Sequence, residues 1–305
     1  MKEYTVGKKD ANLRVDRFLM NKMPEHSKLF ILKSIKNKKI RVNQKHPKKD
    51  DRLVVGDRVV SYILEKADKS VSITNIKKKF SVVYEDKNIL IVNKEAGILS
   101  GDTTGKNNTT LEEQVNEYLK VKAERATLCH RIDFNTSGLV ILAKNRKSLE
   151  ILNEMFKERE VNKYYLYIAV GNFNQRQGIL KHYLTKDAVQ SKVWVSVSPK
   201  IGAKKAIMEY RVLLEAKKLS LVECRLETGR THQIRCQMAY IGHPLLGDNK
   251  YGKKAINKEY GESQQLLCAY KISFNRTDKL KELGYLAGKT FKLPDVAFVK
   301  QYFNQ

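Results

Sequence analysis

From Phe80 onward the chain is a succession of short apolar runs, and their brevity decides what it can fold into. Ser81–Tyr84 and Ile89–Asn93 are separated by a turn at Glu85-Asp86-Lys87-Asn88, and Leu139–Ala143, Tyr165–Val170, Val193–Val197, Met208–Leu214 and Ser220–Leu226 follow. Runs of this length between turn formers read as strands, because a helix needs a longer stretch with apolar residues three and four apart. Helical spacing is confined to Thr110–Leu119, to the set Leu149, Leu152, Met155 and Phe156, and to Thr231–Tyr240. Strands outnumber helices and do not alternate with them. That pattern predicts an α+β fold with a large mixed, mostly antiparallel sheet, not a doubly wound one.

The residues before Phe80 follow another pattern. Residues 1–70 carry 19 Lys+Arg against 9 Asp+Glu, a net of +10. Val15, Phe18 and Leu19 fall at helical spacing. Ser27 reads as the N-cap of a second short helix, buried through Leu29, Ile31, Leu32 and Ile35 and punctuated by Lys33, Lys36, Lys38 and Lys39. Short strands are expected at Ile40–Asn43 and, after the turn Val55-Gly56-Asp57, at Val59–Leu64. Residues 66–79 are polar and basic. The expected division is a small domain at 1–68, a linker at 69–79 and a large domain at 80–305.

Charge speaks to partners. The 305 residues hold 59 Lys+Arg and 33 Asp+Glu, a net of +26. A balance this basic points first to a nucleic acid and second to an anionic membrane surface. No apolar run approaches the roughly 18 residues of a membrane span, and the first 25 residues lack a signal-peptide core. Cys129, Cys224, Cys236 and Cys268 are scattered, with no C-x-x-C pair. That spacing fits a reducing cytoplasm and neither a disulfide scaffold nor a zinc module. At 42% hydrophobic residues, the chain can build a core.

Three segments stand out chemically. His130-Arg131-Ile132-Asp133-Phe134-Asn135-Thr136-Ser137-Gly138 crowds polar groups at the entrance of an apolar strand, where burial without partners is costly. Thr228-Gly229-Arg230-Thr231-His232-Gln233-Ile234-Arg235 places two arginines around a strand-to-helix turn, with Gly229 expected to allow it. Val161–Tyr167 holds three tyrosines, of which Tyr165 and Tyr167 share one face of a strand and Tyr164 takes the other. Taken singly, each has an ordinary explanation: a capped turn, surface arginines, a core stripe. His130, Asp133 and Ser137 are too crowded for a hydrolase triad and lack a nucleophile elbow.

Together, HRIDFNTSG, KYYLYIAVG and TGRTHQIRCQMAYIGHPLLGDNKYG, in that order and at these separations, closely resemble the RluA-type family of pseudouridine synthases. VVYEDKNILIVNKEAG is similar to that family's opening strand pair, and the resemblance covers roughly residues 80–300. RVNQKHPKKDDRLVVGDRVV in the basic block resembles the αL RNA-binding motif of ribosomal protein S-four, a common companion. The resemblance implies that Asp133 is the catalytic aspartate and that Tyr165 stacks on the target uracil and takes part in removing its C5 proton. It implies that Arg235 pairs with Asp133, and that Arg131 fills the space left by a flipped nucleotide. His130, Arg230, Thr231, His232 and Gln233 enter as supporting or RNA-contacting residues of the same motifs, and Lys33, Lys36 and Arg41 as RNA contacts of the small domain. Two departures are visible. Lys94-Glu95 stands where the family usually has Lys-Pro, and Leu267-Cys268-Ala269 where it usually has Leu-His-Ala.

The implied reaction breaks the N1–C1′ bond of uridine, turns the base and rejoins it through C5. It neither oxidises nor removes anything, so no metal or redox cofactor is expected. Asp133 has three roles open to it: attack at C1′, attack at C6, or proton abstraction from the ribose. A neighbouring Arg235 is expected to keep it ionised. The target base must leave its stack, so loops and bulges are better substrates than duplex. The expected substrate is 23S ribosomal RNA, with transfer RNA second and a catalytically silent RNA-binding factor third. The protein is expected to act as a cytoplasmic monomer.

Overall fold

The computed structural model describes residues 2–23, 28–63, 78–101, 110–187 and 190–303. These form two compact units, one ending at 63 and the other beginning at Lys78.

The first unit contains β1 (Lys2–Thr5), α1 (Val15–Lys22), α2 (Lys28–Lys36), β2 (Ile40–Val42) and β3 (Arg58–Ser61). Its strands pair antiparallel in the order β1-β3-β2. Val15, Phe18, Leu19 and Met23 recur at helical spacing and are buried against Ile31, Ile35, Ile40 and Val59. Two helices followed by two strands match the sequence expectation, and β1 is an addition. Its sequence KEYT carries no continuous apolar signal, because β1 pairs only with β3 and two of its four residues are exposed. Ser27 lies outside the described residues, as do the side chains of Leu29 and Lys33 and the expected boundary at 68 with most of the linker.

The second unit runs β4 (Phe80–Glu85), β5 (Ile89–Lys94), α3 (Leu111–Lys120), β6 (Thr127–Leu128), β7 (Ser137–Ala143), α4 (Arg146–Lys157), β8 (Val161–Val170), β9 (Gln177–Asp187) and β10 (Lys192–Ser196). It continues with β11 (Lys204–Ala216), β12 (Leu219–Leu226), α5 (Gln233–Tyr240), α6 (Lys254–Glu259), β13 (Leu267–Phe274), a 3-10 segment (Asp278–Leu286), β14 (Thr290–Lys292) and α7 (Ala297–Phe303). Nine strands form one path, β10-β9-β11-β12-β8-β13-β7-β5-β4, with β14 on β13 and β6 on β7. Every pairing is antiparallel except β13 with β7. The α+β reading therefore holds, with the single parallel join at the middle of the sheet.

Both faces of the sheet are covered, which is why the central strands read as unbroken apolar runs. Leu90, Val92, Val140, Leu142, Tyr165 and Tyr167 face one layer with α3 and α5. Ile89, Ile91, Leu139, Ile141, Leu166 and Ile168 face the other, under α4, the 3-10 segment and α7. Tyr164 packs on this second layer, opposite Tyr165 and Tyr167. α3 starts at a capping box in which Thr110 and Glu113 satisfy each other's amides. The parallel join has a steric condition. Gly138 sits opposite Ala269 with φ +115°, and a Cβ there would lie 2.3 Å from the Ala269 carbonyl oxygen.

Candidate active site

Asp133 lies in the loop between β6 and β7, and both of its neighbours are pinned. The Ser100 hydroxyl donates to the Ile132 carbonyl at 2.9 Å and accepts from the Ile132 N–H at 3.2 Å. The Phe134 carbonyl accepts from the Gly97 N–H at 2.9 Å and from the Lys94 ammonium at 3.1 Å. Ile132 is buried in the core, whereas the Asp133 side chain keeps 30% of its surface open. A carboxylate held from both sides yet still partly open loses little further freedom on meeting a substrate.

Lys94 ties this loop to the turn after β5. It is fully buried, and its ammonium also donates to the carbonyls of Glu95 at 2.9 Å and Ile98 at 2.8 Å. Burial pushes its pKa down to about 7; the Asp133 carboxylate opposes that fall and Lys79 adds to it. Glu95, standing where the family usually has proline, uses the hydrogen proline lacks: its N–H donates to the Lys79 carbonyl at 2.9 Å.

The other half of the site comes from the turn into α5. The residue in the left-handed region there is His232 (φ 55°), not Gly229, and the helix begins at Gln233, not at Thr231. Gln233 knits the turn together. Its carbonyl oxygen accepts from the Thr228 hydroxyl at 2.8 Å and the Arg230 N–H at 3.0 Å, while its amide donates to the Ile207 carbonyl at 3.0 Å. His232 Nδ1 is bonded to the Tyr251 hydroxyl at 2.9 Å. Burial lowers the pKa of its imidazole, and the Asp133 charge works against that.

Arg235, one turn into α5, serves two carboxylates. Its Nε and Nη2 bind the fully buried Asp248 at 2.7 and 2.9 Å, and its Nη1 stands 3.7 Å from Asp133 Oδ2. Burial acts to lower the Arg235 pKa, but Asp248 and then Asp133 raise it. Burial likewise acts to raise the Asp248 pKa, and Arg235 with the Tyr251 and Lys250 amides holds it below the ordinary value. Asp248 was not singled out from the sequence. The sequence expectation was a buried Arg235–Asp133 pair; the tight buried pair is Arg235–Asp248.

Tyr165 is buried on β8 in the layer beneath α3 and α5. Burial raises its hydroxyl pKa, and the Asp133 charge adds to the rise. Asp133 thus bears electrostatically on Lys94 of β5, Tyr165 of β8, and His232 and Arg235 of the α5 turn. A cavity of about 540 Å³ opens beside Arg235, lined also by Asn135, Lys192, Lys250, Lys254 and Gln265.

The remaining sequence-predicted residues fall elsewhere. Arg131, in the Asp133 motif, and Arg230, in the α5-turn motif, are exposed. His130 serves β7: its Nε2 accepts the Ile141 N–H at 3.1 Å and its ring packs 4.9 Å from that of Phe156. Burial pushes its pKa down to about 3, and Lys163 adds to the fall. Lys36 and Arg41 are exposed in the first unit, and Arg41 lies over the Tyr62 ring.

A half-buried carboxylate 3.7 Å from an arginine, on a strongly basic and mostly antiparallel scaffold, fits an enzyme that acts on a nucleic acid. The model of the RNA pseudouridylate synthase family matches residues 88–240, which include the Asp133 loop, β8 and the α5 turn. The chain belongs to that family, in its RluA-type branch, and is an RNA pseudouridine synthase, an isomerase. It is 31% identical over 274 residues to ribosomal large subunit pseudouridine synthase C of Vibrio vulnificus, covering 87% of this chain and 85% of that one. An uncharacterized RNA pseudouridine synthase of Aquifex aeolicus is 32% identical, with 87% of each chain covered. The fold is shared with human RNA pseudouridylate synthase domain containing 1, at a TM-score of 0.55 and 23% identity over 73% of this chain and 94% of that one.

Proposed function

We propose that this chain isomerises uridines of 23S ribosomal RNA to pseudouridine, with Asp133 opening the reaction on a flipped-out nucleotide. The observation that carries this reading is the half-open Asp133 carboxylate, held through both of its neighbours in the chain and 3.7 Å from the Arg235 guanidinium. Arg235 faces Asp133 at 3.7 Å and orients it, while its two shorter bonds go to Asp248. Tyr165 stacks on the uracil and takes part in moving the C5 proton, while N1 gains a proton as C5 joins C1′, so the atoms balance without a co-reactant. Arg131 enters the stack behind the flipped base, offsetting part of a cost of a few kcal/mol.

The choice of ribosomal RNA is supported by relatives named for the large ribosomal subunit. Residues 1–68 act as the recruiting αL domain, through Lys33, Lys36 and Arg41, ahead of a linker at 69–79 and a catalytic domain at 80–305. The enzyme works as a monomer in the cytoplasm, and His130, Arg230 and His232 support the RNA-facing motifs.

The test maps pseudouridines across ribosomal and transfer RNA from cells with and without the gene, then restores wild type, Asp133→Asn or Tyr165→Phe. Defined 23S positions are expected to disappear and to return only with wild type. Loss confined to transfer RNA would replace the substrate, and rescue by Asp133→Asn would remove Asp133 from its role.

A further inference from the structure

Along most of its width the sheet is covered on both faces, but among the described residues of this unit its β9–β10 margin is covered on one. There Leu184, Val193 and Ala206 are buried with Cys236 of α5. By strand alternation the opposite face carries Lys181 and Tyr183 of β9, Lys192 and Trp194 of β10 and Lys205 of β11. The register sets them side by side. Trp194 pairs with Thr185, Ser196 with Tyr183, and Tyr183 with Lys205. Trp194 is therefore diagonal to Tyr183, within reach for aromatic side chains. Trp194 is 54% exposed, and Ile179 on the same face of β9 is 55% exposed.

An exposed tryptophan on a rigid strand is an unusual use of a large apolar ring. Its surroundings indicate what would cover it. Residues 177–207 contain six lysines and one aspartate. Lysines interleaved with aromatic rings match a single-stranded nucleic acid, whose phosphates meet the charges and whose unpaired bases stack on the rings. The margin is also fastened to the α5 turn. The Arg230 Nε donates to the Lys205 carbonyl at 3.1 Å, and the Tyr251 hydroxyl bonded to His232 accepts the Val193 N–H at 2.9 Å.

We propose that this face is a second RNA-binding surface, on which Trp194 stacks an unpaired base of the substrate outside the catalytic pocket while Lys181 and Lys205 meet neighbouring phosphates. The inference rests on the chain acting on RNA and adds a contact that neither sequence motif contains.

Trp194 is the only tryptophan of the chain, so its fluorescence reports on this face alone. The full-length protein is titrated with a ribosomal RNA fragment bearing an unpaired loop, and with a fully paired duplex of equal length. Saturable quenching is expected with the first and little with the second. Trp194→Ala is expected to raise KM about tenfold with kcat unchanged, and Trp194→Phe to recover most of the loss. Lys181→Glu with Lys205→Glu is expected to weaken binding and flatten its salt dependence. Unquenched emission, with a wild-type KM for Trp194→Ala on an RNA that is isomerised, overturns the proposal. Quenching by phosphatidylglycerol vesicles and not by RNA overturns it too, in favour of a membrane surface. Quenching by RNA in a protein that isomerises neither ribosomal nor transfer RNA supports this surface and removes the proposed ribosomal substrate instead.

Discussion

Arg235 and Asp248 form the tightest ion pair of the site, at 2.7 and 2.9 Å and out of solvent, while Asp133 stands 3.7 Å from the same guanidinium. The fork of the arginine is thereby aimed before any substrate arrives. Breaking a buried pair by removing one charge typically costs about 3–5 kcal/mol. Asp248→Asn should lower thermal stability and reduce kcat at least tenfold, with RNA affinity changed only a fewfold. Full turnover by a correctly folded Asp248→Asn protein would show that Asp133 does not depend on how Arg235 is held.

Lys94 holds three carbonyls, one of them on Phe134 beside Asp133. Lys94→Met keeps the packing volume and deletes the donor. Removing a donor from buried acceptors costs about 1–3 kcal/mol. The expected result is a lowered melting temperature and a kcat reduced more than tenfold in the protein that still folds, because the loop carrying Asp133 loosens. Unchanged kcat with lowered stability would limit Lys94 to a purely structural part.

Gly138 allows the parallel join of β7 and β13. Its φ is +115°, and an added Cβ would meet the Ala269 oxygen at 2.3 Å and nitrogen at 2.6 Å, both backbone atoms. Gly138→Ala should therefore prevent stable folding, at a cost exceeding about 4 kcal/mol. Gly242 is the matched control. It has φ +90° and nothing within 4 Å of an added Cβ, so Gly242→Ala should cost only about 1 kcal/mol of backbone strain. Equal unfolding midpoints in urea for the two variants would contradict this account.

His130 makes a prediction in pH. Its folded pKa is about 3, and the unfolded value is near 6.5. Between those values the unfolded chain takes a proton that the folded one refuses, so stability is full above about pH 6.5 and falls as pH drops toward 3. His130→Gln cannot titrate. The stability difference between wild type and His130→Gln should therefore shift against wild type as pH falls from 7 to 4, by up to about 1.4 kcal/mol per pH unit. Parallel curves over that range would mean that His130 does not carry the effect.

The strands β5, β7, β8, β11 and β12 and the helices α3 and α4 were readable along the chain, because a buried face imposes its period on neighbouring residues. The same holds for α1, whose Val15, Phe18 and Leu19 are all buried. β9 was not singled out. It lies near the margin of the sheet, so Ile179 and Lys181 on its uncovered face are exposed and the apolar signal is diluted. β13 passed unremarked as well, since LCAYKISF acquires meaning only through its pairing with β8 and β7.

Sequence order was enough to read the fold class, the anionic character of the partner and the family, since Asp133, Tyr165 and Arg235 sit in motifs whose members are close in sequence. Which charges meet is settled by the closed fold. Asp248 is 13 residues from Arg235, and Ser137 approaches Leu267 across 130 residues. A lysine such as Lys94 acquires its depressed pKa only when the packed sheet takes away its water. Local periodicity records which face is buried. The partner of a buried charge is set by desolvation, and desolvation is a property of the closed chain.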